Sequence, residues 1–174
     1  MAAEELASFI RDIPDFPKAG IVFKDITTLL NNGPAFRTAI NELVEHCRPL
    51  DPEVVVGMES RGFIFAAPIA YLLGVGFVPV RKLGKLPAQS ISVEYELEYG
   101  SNVLELHRDA IGPGQRVLVV DDLLATGGTV AATIGLIEQL GGVVVGTAFL
   151  IELSFLNGRA KLPDHHRIIS LITY

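Results

Sequence analysis

The chain has 174 residues, of which 49% are hydrophobic and 20% are charged, a size and composition that favour one folded domain and exclude an intrinsically disordered protein. Its formal net charge of −6 argues against a general nucleic-acid binder, because such proteins carry a basic surface. The charge still allows a phosphorylated small molecule as ligand, since a few local Arg and Lys side chains can reverse the field.

The amino-terminal segment and the single cysteine bear on where the protein works. Residues 1–17 are acidic and are interrupted by Pro14 and Pro17, which is unlike a secretory signal or a basic transit peptide. Cys47 cannot form an intramolecular disulfide, which favours a reducing compartment. The uncharged stretch over residues 63–80 is broken by glycines and prolines, so it predicts a buried helix and strand rather than a membrane span. We therefore expect a cytoplasmic protein with no membrane partner.

Apolar periodicity predicts helices and strands that alternate along the chain. Helices are predicted over residues 3–11, 34–48, 63–73 and 128–140, and strands over residues 54–57, 77–80, 117–120, 143–151 and 168–172. This alternation indicates an α/β fold, in which a Rossmann-like, mainly parallel sheet has helices on both faces. Ligands of such sheets bind at the carboxyl ends of the strands, so the residues that follow each strand are the functional candidates.

The first such turn, called the arginine turn below, is Glu59-Ser60-Arg61-Gly62, which follows the strand over residues 54–57. The Arg61 guanidinium presents a fork of donors that suits phosphate or pyrophosphate. An ion pair between Arg61 and an acidic neighbour is an equally open alternative.

A basic cluster and a polar excursion follow the second predicted strand. Arg81, Lys82 and Lys85 come just after that strand. A charge run is usually solvated surface, but at the end of a parallel strand we favour a role in anion binding. Residues 92–98 and 103–107 predict a hairpin, which is either a lid over a site or a surface decoration.

The most informative stretch is VLVVDDLLATGGT at residues 117–129, in which a strand, two carboxylates, a glycine-rich turn and a helix start succeed one another. The turn gathers unpaired N–H groups at the positive end of a helix dipole, which favours a bound phosphate. We call it the glycine turn, and its members are Ala125, Thr126, Gly127, Gly128 and Thr129. Its spacing differs from that of a Walker loop and from that of a dinucleotide fingerprint.

Asp121 and Asp122 would repel a phosphate beside them unless they serve another part of the ligand. They can accept hydrogen bonds from sugar hydroxyls, directly or through a hydrated divalent cation. A general acid–base pair and a pair of capping carboxylates are the alternatives. Together with the arginine turn, these residues predict a phosphorylated sugar that carries phosphate at both ends.

These motifs resemble the signature of the type I phosphoribosyltransferases, which bind 5-phosphoribosyl 1-pyrophosphate. The similarity extends over nearly the whole chain and is strongest to the branch of the family that acts on adenine. Besides residues 117–129, the matching segments are PDFPKAGIVFKDIT at residues 14–27, ESRGF at 59–63, RKLGKLP at 81–87, LEYG at 97–100 and ELSFLNGRAKL at 152–162.

The resemblance implies a single domain over residues 1–174, with a hood over the base from about residues 1–33 and 152–165 and a flexible lid over about residues 82–107. It implies transfer of the phosphoribosyl group to adenine, which gives AMP and pyrophosphate. Magnesium (Mg2+) would be held mainly by substrate and water, with no direct protein ligand. The resemblance also implies a homodimer in which the partner subunit contributes some of the basic residues.

The resemblance further assigns a role to each candidate residue. The 5-phosphate would be bound by Ala125, Thr126, Gly127, Gly128 and Thr129, and the ribose hydroxyls by Asp121 and Asp122. Pyrophosphate would be bound by Glu59, Ser60, Arg61 and Gly62, with a cis peptide bond between Glu59 and Ser60, and by Arg81, Lys82 and Lys85. Adenine would be recognised by Val22, Phe23 and Lys24. The catalytic residues would be Arg61 and Glu98, with Glu98 handling the purine proton in the lid beside Tyr99.

Two other functions stay open from the sequence. A domain of this kind can be a non-catalytic sensor of 5-phosphoribosyl 1-pyrophosphate that regulates transcription, but such a regulator needs a DNA-binding element, and the sequence shows no basic helix-turn-helix. We therefore expect no nucleic-acid partner. A phosphoribosyltransferase for hypoxanthine, guanine or xanthine would differ at residues 21–25, which here resemble the adenine type.

Overall fold

A seven-stranded sheet organises the fold of this computed structural model, which describes residues 3–96 and 100–174. The described strands are β1 (Arg11–Ile13), β2 (Phe23–Asp25), β3 (Val54–Met58), β4 (Gly76–Lys82), β5 (Ser90–Glu96), β6 (Ser101–His107), β7 (Arg116–Leu124), β8 (Val143–Glu152) and β9 (Ile168–Thr173). The described helices are α1 (Ala3–Ala7), α2 (Thr27–Asn31), α3 (Gly33–Cys47), α4 (Gly62–Leu73) and α5 (Gly128–Gln139), and 3₁₀ turns lie at Arg48–Leu50, Ser154–Leu156 and Gly158–Lys161.

The strand order of the main sheet is β5-β6-β4-β3-β7-β8-β9. The neighbouring strands β4, β3, β7, β8 and β9 pair in parallel. β6 pairs in antiparallel fashion with both β4 and β5. From β3 the chain passes through α4 to β4 on one side, whereas from β7 it passes through α5 to β8 on the other. The order therefore reverses between β3 and β7, and the crevice outside their carboxyl ends is where such a sheet binds ligands.

Helices cover both faces of the sheet, as the sequence predicts. Along β7, Leu118 and Val120 pack with residues of α3 and α4, whereas Val117 and Val119 pack with residues of α5. All four side chains are fully buried. A central parallel strand that is buried on both faces explains the unbroken apolar run in the sequence.

Two strands end at least two residues beyond the predicted apolar runs, and both extensions concern site residues. β7 continues to Leu124 because it pairs with β8 as far as Glu152, so the aspartate pair lies inside the strand rather than after it. β4 continues to Lys82 because its last two residues pair with β6. In both strands, polar residues end the apolar pattern before the hydrogen bonding between strands ends.

The amino-terminal helix is shorter than the predicted one. A helix over residues 3–11 is predicted, but α1 ends at Ala7. The residues Arg11–Ile13 instead pair with Phe23–Asp25 as the antiparallel strands β1 and β2. The guanidinium of Arg11 also donates to the carboxylate of Asp25 across this pair, which favours the strand over a longer helix.

The predicted hairpin is present as the antiparallel strands β5 and β6, from Ser90 opposite His107 to Glu96 opposite Ser101. Its connecting residues include Glu98 and Tyr99, which lie outside the described residues. Within the described ranges, every helix is too short or too polar to cross a bilayer.

Candidate active site

The glycine turn connects β7 to α5 and borders a cavity of about 70 Å³. Gly127 has a φ of +81°, in the left-handed region that favours glycine. α5 begins at Gly128, so the N–H groups of its first turn have no acceptor within the helix, and Gly128, Thr129 and Val130 of that turn line the cavity. Such a helix start favours a bound anion.

A second cavity of about 380 Å³ lies beside the glycine turn, in the crevice between β3 and β7. Its lining brings together seven predicted site residues: Glu59, Ser60, Arg61, Lys82, Asp121, Asp122 and Thr129. The β5–β6 hairpin completes the lining with Tyr95, Asn102 and Leu104. Residues that are up to 70 positions apart in sequence thus face one space, which follows from the shared carboxyl edge of the sheet.

Arg61 forms an ion pair with Asp122, with 2.7 Å between Nε and Oδ2. Asp122 is only 5% exposed, so the guanidinium compensates a carboxylate that would otherwise be buried without a partner. The pairing with an acidic neighbour is therefore present. It uses one edge of a group with five donors, and Arg61 keeps about half of its side chain exposed at the cavity.

Asp121 lies next to this ion pair and titrates differently from a free carboxyl. Burial raises its pKa well above the ordinary value, the charge of Asp122 raises it further, and Arg61 acts in the opposite direction. The backbone N–H of Asp122 donates to Oδ1 of Asp121 over 2.9 Å. Gly62 permits this arrangement, because a Cβ there would lie 2.8 Å from the same oxygen.

Glu59 ties the arginine turn to the end of β4. Its carboxylate accepts from the backbone N–H of Lys82 over 3.0 Å and from Nε of Arg81 over 3.3 Å. These two donors hold the pKa of Glu59 below its ordinary value, the Lys82 N–H most strongly. The peptide bond between Glu59 and Ser60 is cis. Arg81 is thereby engaged with Glu59, whereas the neighbouring Lys82 side chain lines the cavity.

The three residues of the basic cluster therefore have different surroundings: Arg81 is bonded to Glu59, whereas Lys82 lines the cavity. The guanidinium of Arg81 also donates to the backbone carbonyl of Lys85 over 3.4 Å, which holds the loop after β4 close to that strand. Among the described residues that line the 380 Å³ cavity, Lys82 is the one member of the cluster.

The three candidate base-binding residues lie at the start of β2. Val22 is 49% exposed, and the ring of Phe23 packs edge to face on Phe16 with 5.2 Å between centroids. Phe23 also faces the arginine turn, since the guanidinium carbon of Arg61 lies 5.3 Å from its ring centre. The ammonium group of Lys24 is held by Asp12, at 2.7 Å, and by the ring of Tyr174 beneath it, at 3.8 Å. The Lys24 side chain is therefore engaged away from the cavity.

Tyr95 is a site residue that the sequence analysis missed. Its hydroxyl lies 3.2 Å from the Oγ1 of Thr129, which joins the β5–β6 hairpin to the glycine turn. The signal was present in the alternation along β5, where Ile91, Val93 and Tyr95 are half buried and Ser92, Glu94 and Glu96 are exposed. That pattern identifies the inner face of the hairpin but not what the face covers.

Over residues 3–96 and 100–174, no three His, Cys, Asp or Glu side chains group closely enough to hold a metal ion between them.

The fold and the site define an α/β protein with two turns at the carboxyl edge of its sheet whose chemistry suits anions. A model of the phosphoribosyl transferase domain matches residues 25–172. The chain belongs to the phosphoribosyltransferase family.

Similar proteins within this family are named adenine phosphoribosyltransferases. A protein from Chloroflexus aurantiacus called adenine phosphoribosyltransferase is 60% identical over 174 residues, which is the full length of both chains. The crystal structure of an adenine phosphoribosyltransferase from Thermoanaerobacter pseudethanolicus is 55% identical, covers 99% of this chain and 100% of its own, and superimposes with a TM-score of 0.96. The Saccharomyces cerevisiae enzyme, crystallised with adenine and an imino-altritol bisphosphate, is 41% identical, with 98% of each chain covered and a TM-score of 0.91.

Proposed function

We propose that the protein is an adenine phosphoribosyltransferase of purine salvage, which transfers the 5-phosphoribosyl group of 5-phosphoribosyl 1-pyrophosphate to adenine and releases AMP and pyrophosphate. The observation that carries the proposal is the single cavity that the arginine turn, the aspartate pair and Thr129 of the glycine turn share. A sugar with phosphate groups at both ends matches this arrangement. The names and full-length similarity of the relatives support adenine as the acceptor.

The glycine turn is proposed to hold the 5-phosphate. Backbone N–H groups at the start of α5 and the hydroxyls of Thr126 and Thr129 supply donors, and the helix dipole adds a favourable field. The ribose hydroxyls would donate to Asp121 and Asp122. Anchoring the sugar at both points fixes its anomeric carbon relative to the acceptor, which lowers the entropic part of the barrier.

The arginine turn and Lys82 are proposed to bind the pyrophosphate, with Arg81 contributing from the end of β4 and Lys85 from the loop that follows it. Cleavage of the bond between ribose and pyrophosphate builds positive charge on the sugar and negative charge on the leaving group. Arg61 and Lys82 line the cavity and are proposed to lie towards that leaving group, and Asp121 and Asp122, which line the same cavity, towards the sugar. The positive charge of Arg61 and Lys82 would then stabilise the negative charge that develops on the pyrophosphate.

Magnesium fits this donor set as a companion of the substrate. Oxygen ligands are what this ion prefers. Of the carboxyls that line the cavity, Asp122 and Glu59 are paired with arginines, so Asp121 would approach the ion through water. The charge of the cation would favour the ionised form of Asp121 and so counteract the burial and the Asp122 charge that raise its pKa. Bound magnesium would neutralise charge on the leaving pyrophosphate.

Val22, Phe23 and Lys24 are proposed to bind adenine through their backbone groups and the Phe23 ring. The engagement of the Lys24 ammonium with Asp12 supports readout by the main chain at this position. Glu98 is proposed to carry the proton of the purine ring, and the hairpin that bears it and Tyr99 to exclude water from the cationic sugar. We further propose a cytoplasmic homodimer, whose mass in solution would be about twice 18.7 kDa.

The test is to mix the protein with adenine, 5-phosphoribosyl 1-pyrophosphate and Mg2+ and to measure AMP by chromatography. We expect AMP to form with adenine and much more slowly, if at all, with hypoxanthine, guanine or xanthine in place of adenine. Folded protein that binds 5-phosphoribosyl 1-pyrophosphate but forms no nucleotide would indicate a sensor instead. Faster turnover with another base would reassign the acceptor.

A further inference from the structure

The glycine turn rests directly on a segment near the carboxyl end of the chain, the 3₁₀ turn Gly158–Lys161. A Cβ placed on Gly127 would collide with the carbonyl oxygen of Gly158, and a Cβ placed on Gly158 would collide with the carbonyl oxygen of Ala125. The two backbones therefore touch without side chains between them. Contact this close means that a displacement of Gly158 is transmitted to the turn rather than absorbed.

An ion pair fixes the position of Gly158. The neighbouring Arg159 donates through Nε and Nη2 to the two carboxylate oxygens of Glu152, each over 2.6 Å. Ser170 on β9 donates to the same carboxylate over 2.7 Å. Glu152 is only 5% exposed, and these donors hold its pKa below the ordinary value, Arg159 most strongly. A bidentate pair sets orientation as well as distance, so it restrains the segment in more than one direction.

The carboxylate end of this pair is anchored to the strand that leads into the glycine turn. Glu152 lies opposite Leu124 in the parallel register of β7 and β8, and the next N–H, that of Leu153, donates to the Leu124 carbonyl over 2.9 Å. A closed circuit of contacts results. β7 leads into the glycine turn, the turn contacts Gly158, Arg159 pairs with Glu152 at the end of β8, and β8 pairs with β7. The turn is held from both sides.

We propose that Glu152 and Arg159 are positioning residues for phosphate binding, which act by holding Gly158 against the glycine turn. The inference rests on the proposed function, in which that turn binds the 5-phosphate. Neither side chain lines either cavity of the candidate site. A turn with two adjacent glycines is conformationally permissive, and a site of this kind needs its donors held to within about 0.5 Å, so an external brace is what preorganises it.

The test compares Arg159→Lys with Arg116→Lys. Lysine at 159 keeps the charge but loses the two-donor fork. Arg116 is the matched control, because its guanidinium also holds loop carbonyls, those of Leu50 and Asp51, but at the amino end of β7, away from the site. The affinity for ribose 5-phosphate is measured by calorimetry, the kinetic constants are measured for both substrates, and thermal unfolding reports the stability of each variant.

For Arg159→Lys we expect affinity for ribose 5-phosphate to fall about 10-fold and KM for 5-phosphoribosyl 1-pyrophosphate to rise about as much, while kcat and KM for adenine change less than about twofold. Glu152→Gln should behave in the same way, because it weakens the same pair without changing the shape of the side chain. Arg116→Lys should lower the unfolding temperature at most and leave ribose 5-phosphate affinity unchanged.

Unchanged ribose 5-phosphate affinity in folded Arg159→Lys and Glu152→Gln would overturn the inference, and so would equal losses in Arg159→Lys and Arg116→Lys. These results leave the proposed function intact, since the unsubstituted protein still binds ribose 5-phosphate. Failure of the unsubstituted protein to bind it would instead overturn the assignment of the glycine turn and this inference together.

Discussion

Arg61 joins three parts of the site through one side chain. It neutralises the nearly buried Asp122, lies near the ring of Phe23, and presents its remaining donors to the cavity. In the proposed function, a side chain with these contacts would link the pyrophosphate position to the base position. Its replacement therefore affects binding and leaves a buried carboxylate unpaired at the same time.

Replacing Arg61 by alanine should weaken pyrophosphate binding. Loss of hydrogen bonds to a charged group costs about 1.5–3 kcal/mol, which is about 10- to 100-fold in affinity. The measurement is the inhibition constant of pyrophosphate as a product. Arg48→Ala is the control, since Arg48 pairs only loosely with Glu45, at 3.9 Å on the surface. Equal inhibition constants in both variants would remove Arg61 from the pyrophosphate site.

Replacing Glu98 by glutamine should lower kcat far more than it weakens substrate binding. A positioned proton carrier contributes about 10²- to 10⁴-fold to the rate, and an amide cannot replace it. Steady-state kinetics with each substrate varied in turn separates the two effects. Glu96→Gln, an exposed glutamate at the end of β5, is the control. Full turnover by Glu98→Gln would assign the proton transfer to another group.

At the scale of elements, the glycine turn is shaped by three neighbours. β7 leads into it, the β5–β6 hairpin reaches it through the Tyr95 hydroxyl, and the Gly158–Lys161 turn contacts its backbone. The left-handed conformation of Gly127 makes room for the last of these contacts. A side chain at position 127 would strain the left-handed backbone and would also collide with the backbone of Gly158.

The substitution Gly127→Ala separates these two costs when it is compared with Gly114→Ala. Gly114 also has a positive φ, +76°, but a Cβ there meets nothing within 4 Å. Backbone strain of about 1–3 kcal/mol is common to both, so the further loss in Gly127→Ala measures the collision with Gly158. We expect a lower unfolding temperature for both variants and strongly reduced AMP formation for Gly127→Ala alone. Similar activity in the two variants would show that the contact is easily relaxed.

At the scale of the whole molecule, the sheet gathers segments from the entire chain at one edge. The small β1–β2 sheet is attached to the main body through Lys24 and Tyr174, and Tyr174 is itself bonded to β8 through the Glu152 carbonyl. The stability of this attachment depends on charged groups. The pH dependence of unfolding therefore reports on the amino-terminal sheet.

Asp25 should contribute to stability at neutral pH and not in strong acid. Its pKa falls from an ordinary 3.8 to about 2, because the Arg11 side chain and then Thr27 donate to its carboxylate. Because the pKa of Asp25 is lower in the folded than in the unfolded state, its ionised carboxylate stabilises the folded protein at pH values above 3.8. This contribution is lost as the pH falls from 3.8 to about 2. Denaturant unfolding should show a difference between the unsubstituted protein and Asp25→Asn at pH 7 that shrinks over that range. A difference that persists unchanged at pH 2 would contradict this origin; Asp109→Asn, at an exposed turn, is the control.

Much of the candidate site could be predicted because its residues are local in sequence. The order of strand, carboxylates, glycines and helix in residues 117–129 specifies a turn at a helix start, whatever surrounds it. The contribution of Tyr95 could not be predicted, because an alternating strand reveals its inner face but not the element beneath. The Glu152–Arg159 pair is also local, but its relation to the glycine turn exists only through the contact of Gly158 with Gly127.

The sequence by itself determined the α/β class and the position of the two candidate anion-binding turns, because periodicity, glycine freedom and helix-start chemistry act over a few neighbouring residues. Only the tertiary structure decided that both turns face one cavity, that Arg61 pairs with Asp122, and that β7 runs on past its carboxylates. These outcomes depend on strand order and on pairing between segments far apart in the chain, which local preferences do not encode. The physical reason is that hydrogen-bonded register and burial are properties of pairs of segments, not of either segment alone.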